Sequence, residues 1–400
     1  MPRGNRTKGH TPVLLNQICS FALLRAPATF RMDHGAQYQA FRSTRVFGSL
    51  DGLRAISIVG VVWFHCWWGT PYYAQLLQLP VLRQGEYGVH IFFVISGFLI
   101  TTLLLRECKK FGNISLRDFY IRRALRIWPL YYATITLYIV VVLLFERGSS
   151  RSASFFHYLP YFLTYTYTWA ISSNWPAGVF NLSWSLCTEE QFYLFWPLVL
   201  RIVRVPWSAV FMASLIALRV ATGYGWILFG LPPASLLARI VLTVAIPICL
   251  GALLAEALDT SWGFNIAYRI LGQKWAPILA LGLLALSLVP AHVPLWVAWF
   301  ATVSLVGACV VREDNGLAPL LRLRPLALIG TVSYGMYLLN SLSVHLVQLA
   351  CRQIGLLFPP AIFPIGLGVT VGAAYLSYQY FEKPFLRLKT HFSRLKSSGS

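Results

Sequence analysis

LDGLRAISIVGVVWFHCWWG, residues 50–69, is an apolar run interrupted by ionisable side chains, most notably Arg54 and His65. Read as one helix, the eleven-residue separation between them is about three turns. Both side chains then share a face, roughly 16 Å apart along the axis. One lies near a membrane surface and the other well inside. Ionisable groups within a membrane are costly and mark functional sites, and histidine is the side chain best suited to moving protons near neutral pH. The pair is therefore the first candidate for chemistry.

Composition makes the surroundings of that run a membrane. Of 400 residues, 57% are hydrophobic and 12% charged, whereas a soluble domain carries about 25% charged residues. Mean hydropathy is +0.62. The formal net charge of +20 does not point to nucleic acid, because the basic residues cluster between apolar segments and at both ends, the pattern of positive-inside topology. Seven cysteines are scattered without a CxxC pair or metal-ligand spacing, which argues against a disulfide framework or a zinc site; no metal is expected.

The expected fold class is an all-α polytopic membrane protein, a bundle of about ten transmembrane helices with both termini cytoplasmic. Spans of roughly 20 apolar residues are read near 53–70, 88–106, 124–145, 184–201, 208–230, 236–256, 275–291, 294–311, 326–350 and 361–381. The stretch 106–126 carries Arg106, Lys109, Lys110, Arg117, Arg122, Arg123 and Arg126 against Glu107 and Asp118, and is read as cytoplasmic. Arg201 and Arg204, Arg269 and Lys274, Arg312, Arg322 and Arg324, and the basic tail are also read as inside. Treating 155–172 as a span would put Arg201 and Arg204 outside, so it is read as an outer-surface or re-entrant element. The loop SSNWPAGVFN then lies on the outer side.

Residues 1–48 are basic and acid-poor, with no apolar run of signal-peptide quality, and are read as a disordered cytoplasmic extension. Translation starting at Met32 is the alternative. Residues 49–387 form the membrane domain, and 388–400 a basic cytoplasmic tail.

Further candidates line up along the spans. GVHIFFVISGFLITTLL holds His90 near the outer surface, and Ser96-Gly97, whose small size suits close helix packing. In FYIRRALRIWP, Arg123 and Arg126 share a helix face; they are either a positive-inside anchor or a clamp for the phosphates of a cytoplasmic donor. NLSWSLCTEEQFYLFWP sets Glu189 and Glu190 at the entry of an apolar helix, about 100° apart, with Tyr193 one turn beyond Glu189. Glu189 is expected level with His65, where it would orient the imidazole, unless it pairs with Arg54. Trp67, Trp68, Tyr72, Tyr73, Trp175 and Trp184 either stack on sugar rings at the outer mouth or form an interfacial aromatic belt.

LDGLRAISIVGVVWFH, GVHIFFVISGFLI, FYIRRALRIWPLYY, LSWSLCTEEQFYLFWP, TVSYGMYLLN and YFEKPF, in that order, resemble the membrane-bound acyltransferase family 3, of the O-antigen and exopolysaccharide O-acyltransferase type. The resemblance runs from about Ser49 to Arg387. It implies a ten-span bundle, in a bacterial inner membrane, that transfers an acyl group, usually acetyl, from cytoplasmic acyl-CoA to a hydroxyl. The acceptor would be a glycan, a lipid-linked saccharide or another hydroxylated molecule, and acyl-CoA would be a co-substrate rather than a permanently bound cofactor. His65 would be the general base, Arg54 and Glu189 would support the catalytic pocket, and Arg123 and Arg126 would engage the CoA phosphates. Glu190, Tyr193, His90, Ser96 and Trp184 are expected as substrate-binding or supporting residues. Two departures stand out: Asn340 replaces a histidine common after SYxxYL, and His90 stands where aspartate is common. The rival reading is a proton-coupled transporter or flippase for lipid-linked glycans, with His65 and Glu189 as a proton relay.

Overall fold

The computed structural model describes residues 34–79, 82–171, 179–225, 235–289 and 293–392. Met32, Trp175, most of the SSNWPAGVFN loop and the last eight residues lie outside them. Among the described residues there is helix and no strand. The main helices are α1 (Gly35–Ser43), α2 (Gly48–Trp67), α3 (Gly88–Phe111), α4 (Leu116–Phe145), α5 (Ser150–Leu163), α6 (Ser183–Ile202) and α7 (Trp207–Gly223). They continue as α8 (Leu236–Leu242), α9 (Ile246–Asp259), α10 (Ser261–Leu271), α11 (Ala276–Leu288), α12 (Leu295–Val311), α13 (Arg324–Gln353), α14 (Pro359–Leu376) and α15 (Lys383–His391).

Five helices are long and apolar enough to cross a membrane: Gly48–Trp67, Leu82–Phe111, Leu116–Phe145, Arg324–Gln353 and Pro359–His391. There are up to seven if α8–α9 and α10–α11, bent by 54° and 74°, each count as one span. The chain is an integral, multi-pass membrane protein. Each of the ten expected stretches contains helix, but not always one straight span. The stretch 236–256 is broken after Leu242, α7 and α12 are 17 residues long, and α6 carries Glu189, Glu190 and Arg201 in its 20 residues. Hydropathy averages over a window and does not register such breaks. The stretch 155–172 is divided between α5 and a short turn of helix, with Tyr165 at φ +55° between them.

Part of the segment before residue 49 packs on the bundle. Gly35–Ser43 is helical and docked: the Tyr38 hydroxyl donates to the Asp259 carbonyl at 2.6 Å, and Phe41 is buried against Phe264. Arg106 donates to the carbonyls of Thr44 at 2.6 Å and Phe41 at 2.9 Å. The basic composition suggested disorder, but two aromatic anchors and two charge-assisted hydrogen bonds offset the ordering entropy of so short a segment.

Close packing of α3 on α9 builds the wall behind the site. A Cβ on Gly97 would lie 2.0 Å from the Ile248 carbonyl oxygen, and one on Gly251 would lie 2.2 Å from that of Val94. These glycines let two backbones touch, as small residues do between helices in lipid. Gly97→Val is expected to lower the melting temperature in detergent, by about 1–3 kcal/mol or more of destabilisation, because backbone cannot yield as a side chain does. An unchanged melting curve would show that the two helices separate freely.

Candidate active site

The turn between α3 and α4 sets the site's lower rim. Gly112, at φ +75°, ends α3, and the Ser115 hydroxyl caps α4 by accepting from the Asp118 amide. Glu107 is 2% exposed; its carboxylate accepts from the Ser115 amide at 2.9 Å and pairs with Arg122 at 3.1 Å. The turn thereby orients the first helical turns of α4, where Arg123 and Arg126 stand.

Above that rim lies a cavity of about 320 Å³. Six of the residues singled out in the sequence line it together: Arg54 from α2, Ser96 from α3, Arg123 and Arg126 from α4, and Glu189 and Tyr193 from α6. The Tyr193 hydroxyl donates to Glu189 in a short hydrogen bond, and the Arg123 guanidinium sits over the Tyr193 ring, 5.1 Å from its centroid. Arg54 forms an ion pair with Asp51 at 3.2 Å, one turn earlier on α2. Glu189 lies within electrostatic reach of both Arg54 and Arg123. Cations outnumber carboxylates on the wall: Arg45, Arg106 and Lys389 join the three arginines, against Asp51 and Glu189. Such a concave, basic, partly buried wall suits a ligand carrying several negative charges.

His65 stands apart from this cavity, three turns along α2 from Arg54 on the same face. Its Nδ1 is 2.8 Å from the Val61 carbonyl oxygen. A carbonyl only accepts, so Nδ1 carries the proton and Nε2 of the neutral ring keeps its lone pair, as a base requires. The Gln348 amide of α13 donates to the carbonyls of Cys66 and Trp68, both at 3.2 Å, and holds the end of α2 just beyond the imidazole. The expected contact between Glu189 and His65 is not formed: the hydrogen bonds of the two run to Tyr193 and to Val61. The helices are offset, so Glu189 belongs with the arginines.

The remaining candidates lie outside the cavity. Glu190, rotated about 100° from Glu189, accepts from the Trp128 indole at 3.4 Å. His90 packs edge-on against Tyr87, with ring centroids 4.6 Å apart. Trp184 packs edge-on against Phe93 at 6.0 Å. Asn340 is fully buried and donates to the Tyr337 carbonyl, a structural use for the residue that replaces a histidine. Arg45 and Lys389 join the site from stretches whose sequence reads as tails. Their only signal was basic charge, which positive-inside topology already explained.

A family model described as an acyltransferase domain matches residues 47–379. YrhL of Bacillus subtilis is 29% identical over 87% of this chain and 56% of its own length. The peptidoglycan O-acetyltransferase OatA of Listeria monocytogenes is 28% identical over 74% of this chain and 49% of its own length. The O-acetyltransferase OatA of Staphylococcus aureus is 28% identical over 86% of this chain and 57% of its own length. The chain thus spans about half the length of the curated relatives it matches. No solved structure matches it.

Proposed function

Because the chain belongs to the acyltransferase 3 family, we propose that it is a membrane O-acyltransferase that carries an acetyl group from cytoplasmic acetyl-CoA to a hydroxyl of a cell-envelope glycan. The observation that carries this reading is the cavity, where Arg54, Arg123 and Arg126 converge with only Asp51 and Glu189 to balance them. Guanidinium groups bind phosphate oxygens in bidentate geometry, and a CoA pyrophosphate supplies several. The relatives named as O-acetyltransferases, one of them acting on peptidoglycan, support the acetyl group and the glycan class. A ten-span bundle in the bacterial inner membrane, with both termini cytoplasmic, is part of the proposal. It opens the basic cavity to the cytoplasm and the His65 end of α2 to the outer side.

The chemistry divides between the two levels of α2. Arg123 and Arg126 hold the donor's phosphates, while Tyr193 ties Glu189 to Arg123 and Asp51 holds Arg54, which keeps the basic wall rigid. The pantetheine arm carries the thioester along the helix face towards His65. There Nε2 takes the proton of the acceptor hydroxyl as its oxygen attacks the thioester carbon. The C–S bond breaks, CoA leaves as the thiolate, and the imidazolium returns the proton.

Purified protein is expected to bind acetyl-CoA, and the Arg123→Ala/Arg126→Ala double variant to bind it about a hundredfold more weakly, the loss of two or more charged hydrogen bonds. Calorimetry measures this directly. Equal affinity in the double variant would remove the donor site from this cavity.

A further inference from the structure

Two basic residues of the cavity wall lie outside the ten spans expected from the sequence and are not part of the Arg123–Arg126 pair. Arg45 precedes α2, and Lys389 stands on the short amphipathic helix α15. The sequence set them in opposite tails; the fold brings both to one mouth. Each is anchored by an arginine at a helix end. Arg106, at the cytoplasmic end of α3, donates to the Thr44 carbonyl next to Arg45, and its guanidinium lies 5.6 Å and 5.7 Å from the ring centroids of Phe41 and Phe47. Arg122, at the start of α4, donates to the Phe392 carbonyl at 2.7 Å, three residues beyond Lys389. Arg106 and Arg122 thus spend hydrogen bonds on backbone carbonyls, and in doing so hold two other cations at the rim. Lys389 lies within electrostatic reach of Arg126, Arg123 and Arg122. A cation held against three like charges is a cost that an anion would relieve.

The order of groups in CoA says which anion. Arg123 and Arg126 stand about two and three turns inside α4 and take the pyrophosphate in the reading above. Outward from the pyrophosphate, away from the thioester, the next charged group is the phosphate on the ribose. We propose that Arg45 and Lys389 form a second anion subsite at the cavity mouth, which binds the ribose 3′-phosphate of the acyl-CoA donor. This rests on the acyl-CoA reading of the cavity and adds to it the part of the donor that the membrane arginines do not reach. A dianionic 3′-phosphate between the two cations makes charge-assisted hydrogen bonds and removes the repulsion from the arginines.

The test compares CoA with 3′-dephospho-CoA by calorimetry on the full chain in detergent or nanodiscs. The wild type is expected to prefer CoA by about tenfold to a hundredfold, the range for one or two charged hydrogen bonds. Arg45→Ala/Lys389→Ala is expected to bind CoA only as well as dephospho-CoA, with its affinity for dephospho-CoA unchanged. Lys389→Arg, which keeps the charge, is expected to retain the preference. Melting curves show that the variants fold, and Lys389→Gln alone, which leaves the segment before α2 intact, is expected to lose part of the preference. Equal binding of the two nucleotides by the wild type overturns the subsite and leaves the donor reading standing. So does a loss in the double variant that is the same for both nucleotides. Binding of neither nucleotide by the wild type overturns the donor reading itself.

Discussion

His65→Ala is expected to lower acyl transfer by about 10²- to 10⁴-fold, the contribution of a positioned general base, while leaving donor binding intact. The separation of functions follows from geometry. His65 lies outside the basic cavity, three turns from Arg54, and its Nδ1 bond to the Val61 carbonyl is internal to α2. Removing the ring takes away Nε2 without stranding a partner other than one helical carbonyl that already belongs to the backbone ladder. The protein should therefore remain inserted, melt normally and bind acetyl-CoA with its original affinity. Transfer of labelled acetyl groups to envelope glycan, followed in membranes, measures the rate, and calorimetry measures the binding. Full transfer activity in His65→Ala would assign the base elsewhere. Loss of donor affinity along with activity would mean that the imidazole serves the cavity rather than the hydroxyl.

Glu107→Leu is expected to be the most destabilising single change near the site, costing about 3–5 kcal/mol, the range for breaking a buried ion pair from one side. Glu107 holds both the Ser115 amide and Arg122 in a setting where the carboxylate side chain is 3% and the arginine 17% exposed. Leucine fills the volume but leaves the guanidinium beside two like charges, Arg123 and Arg126. The damage should reach function, because Arg122 also holds Phe392 and with it the end of α15. The melting temperature in detergent is expected to fall sharply. Arg122→Met added to Glu107→Leu should recover part of the loss, since an apolar pair of similar volume replaces an ion pair at little cost. If Glu107→Leu melts like the wild type, the pair contributes no stability and the α3–α4 turn is held by its glycine and serine alone.

Arg54 and Glu189 stand out in the sequence as ionisable interruptions of apolar helices, Arg123 and Arg126 as a basic pair on one helix face, Tyr193 as one turn beyond Glu189 and Ser96 by its small size, and the fold brings all six to one cavity. The cost of Arg54 and Glu189 in a membrane makes those two conspicuous. The placement of Glu189 at the level of His65 went differently. It assumed straight helices crossing at matched depth, and depth on one helix relative to another depends on tilt and offset, which a hydropathy profile does not contain. Arg45 and Lys389 were hidden for another reason. In a polytopic protein a basic residue outside a span is ordinarily a topology signal, and nothing in its own sequence separates it from one that lines a site.

The sequence alone determined that this chain is helical and lies in a membrane, that it carries the acyltransferase motifs in order, and that α2 presents Arg54 and His65 on one face. Those properties follow from composition, period and residue type, which are local. Only the tertiary structure decided which side chains share a cavity, that Glu189 joins the arginines, that the segment before α2 is docked, and that the expected span at 236–256 is broken. Each of these depends on contacts between residues far apart in the chain. Gly97 against Ile248 and Arg122 against Phe392 are examples. Their free energy exists only once the helices have packed.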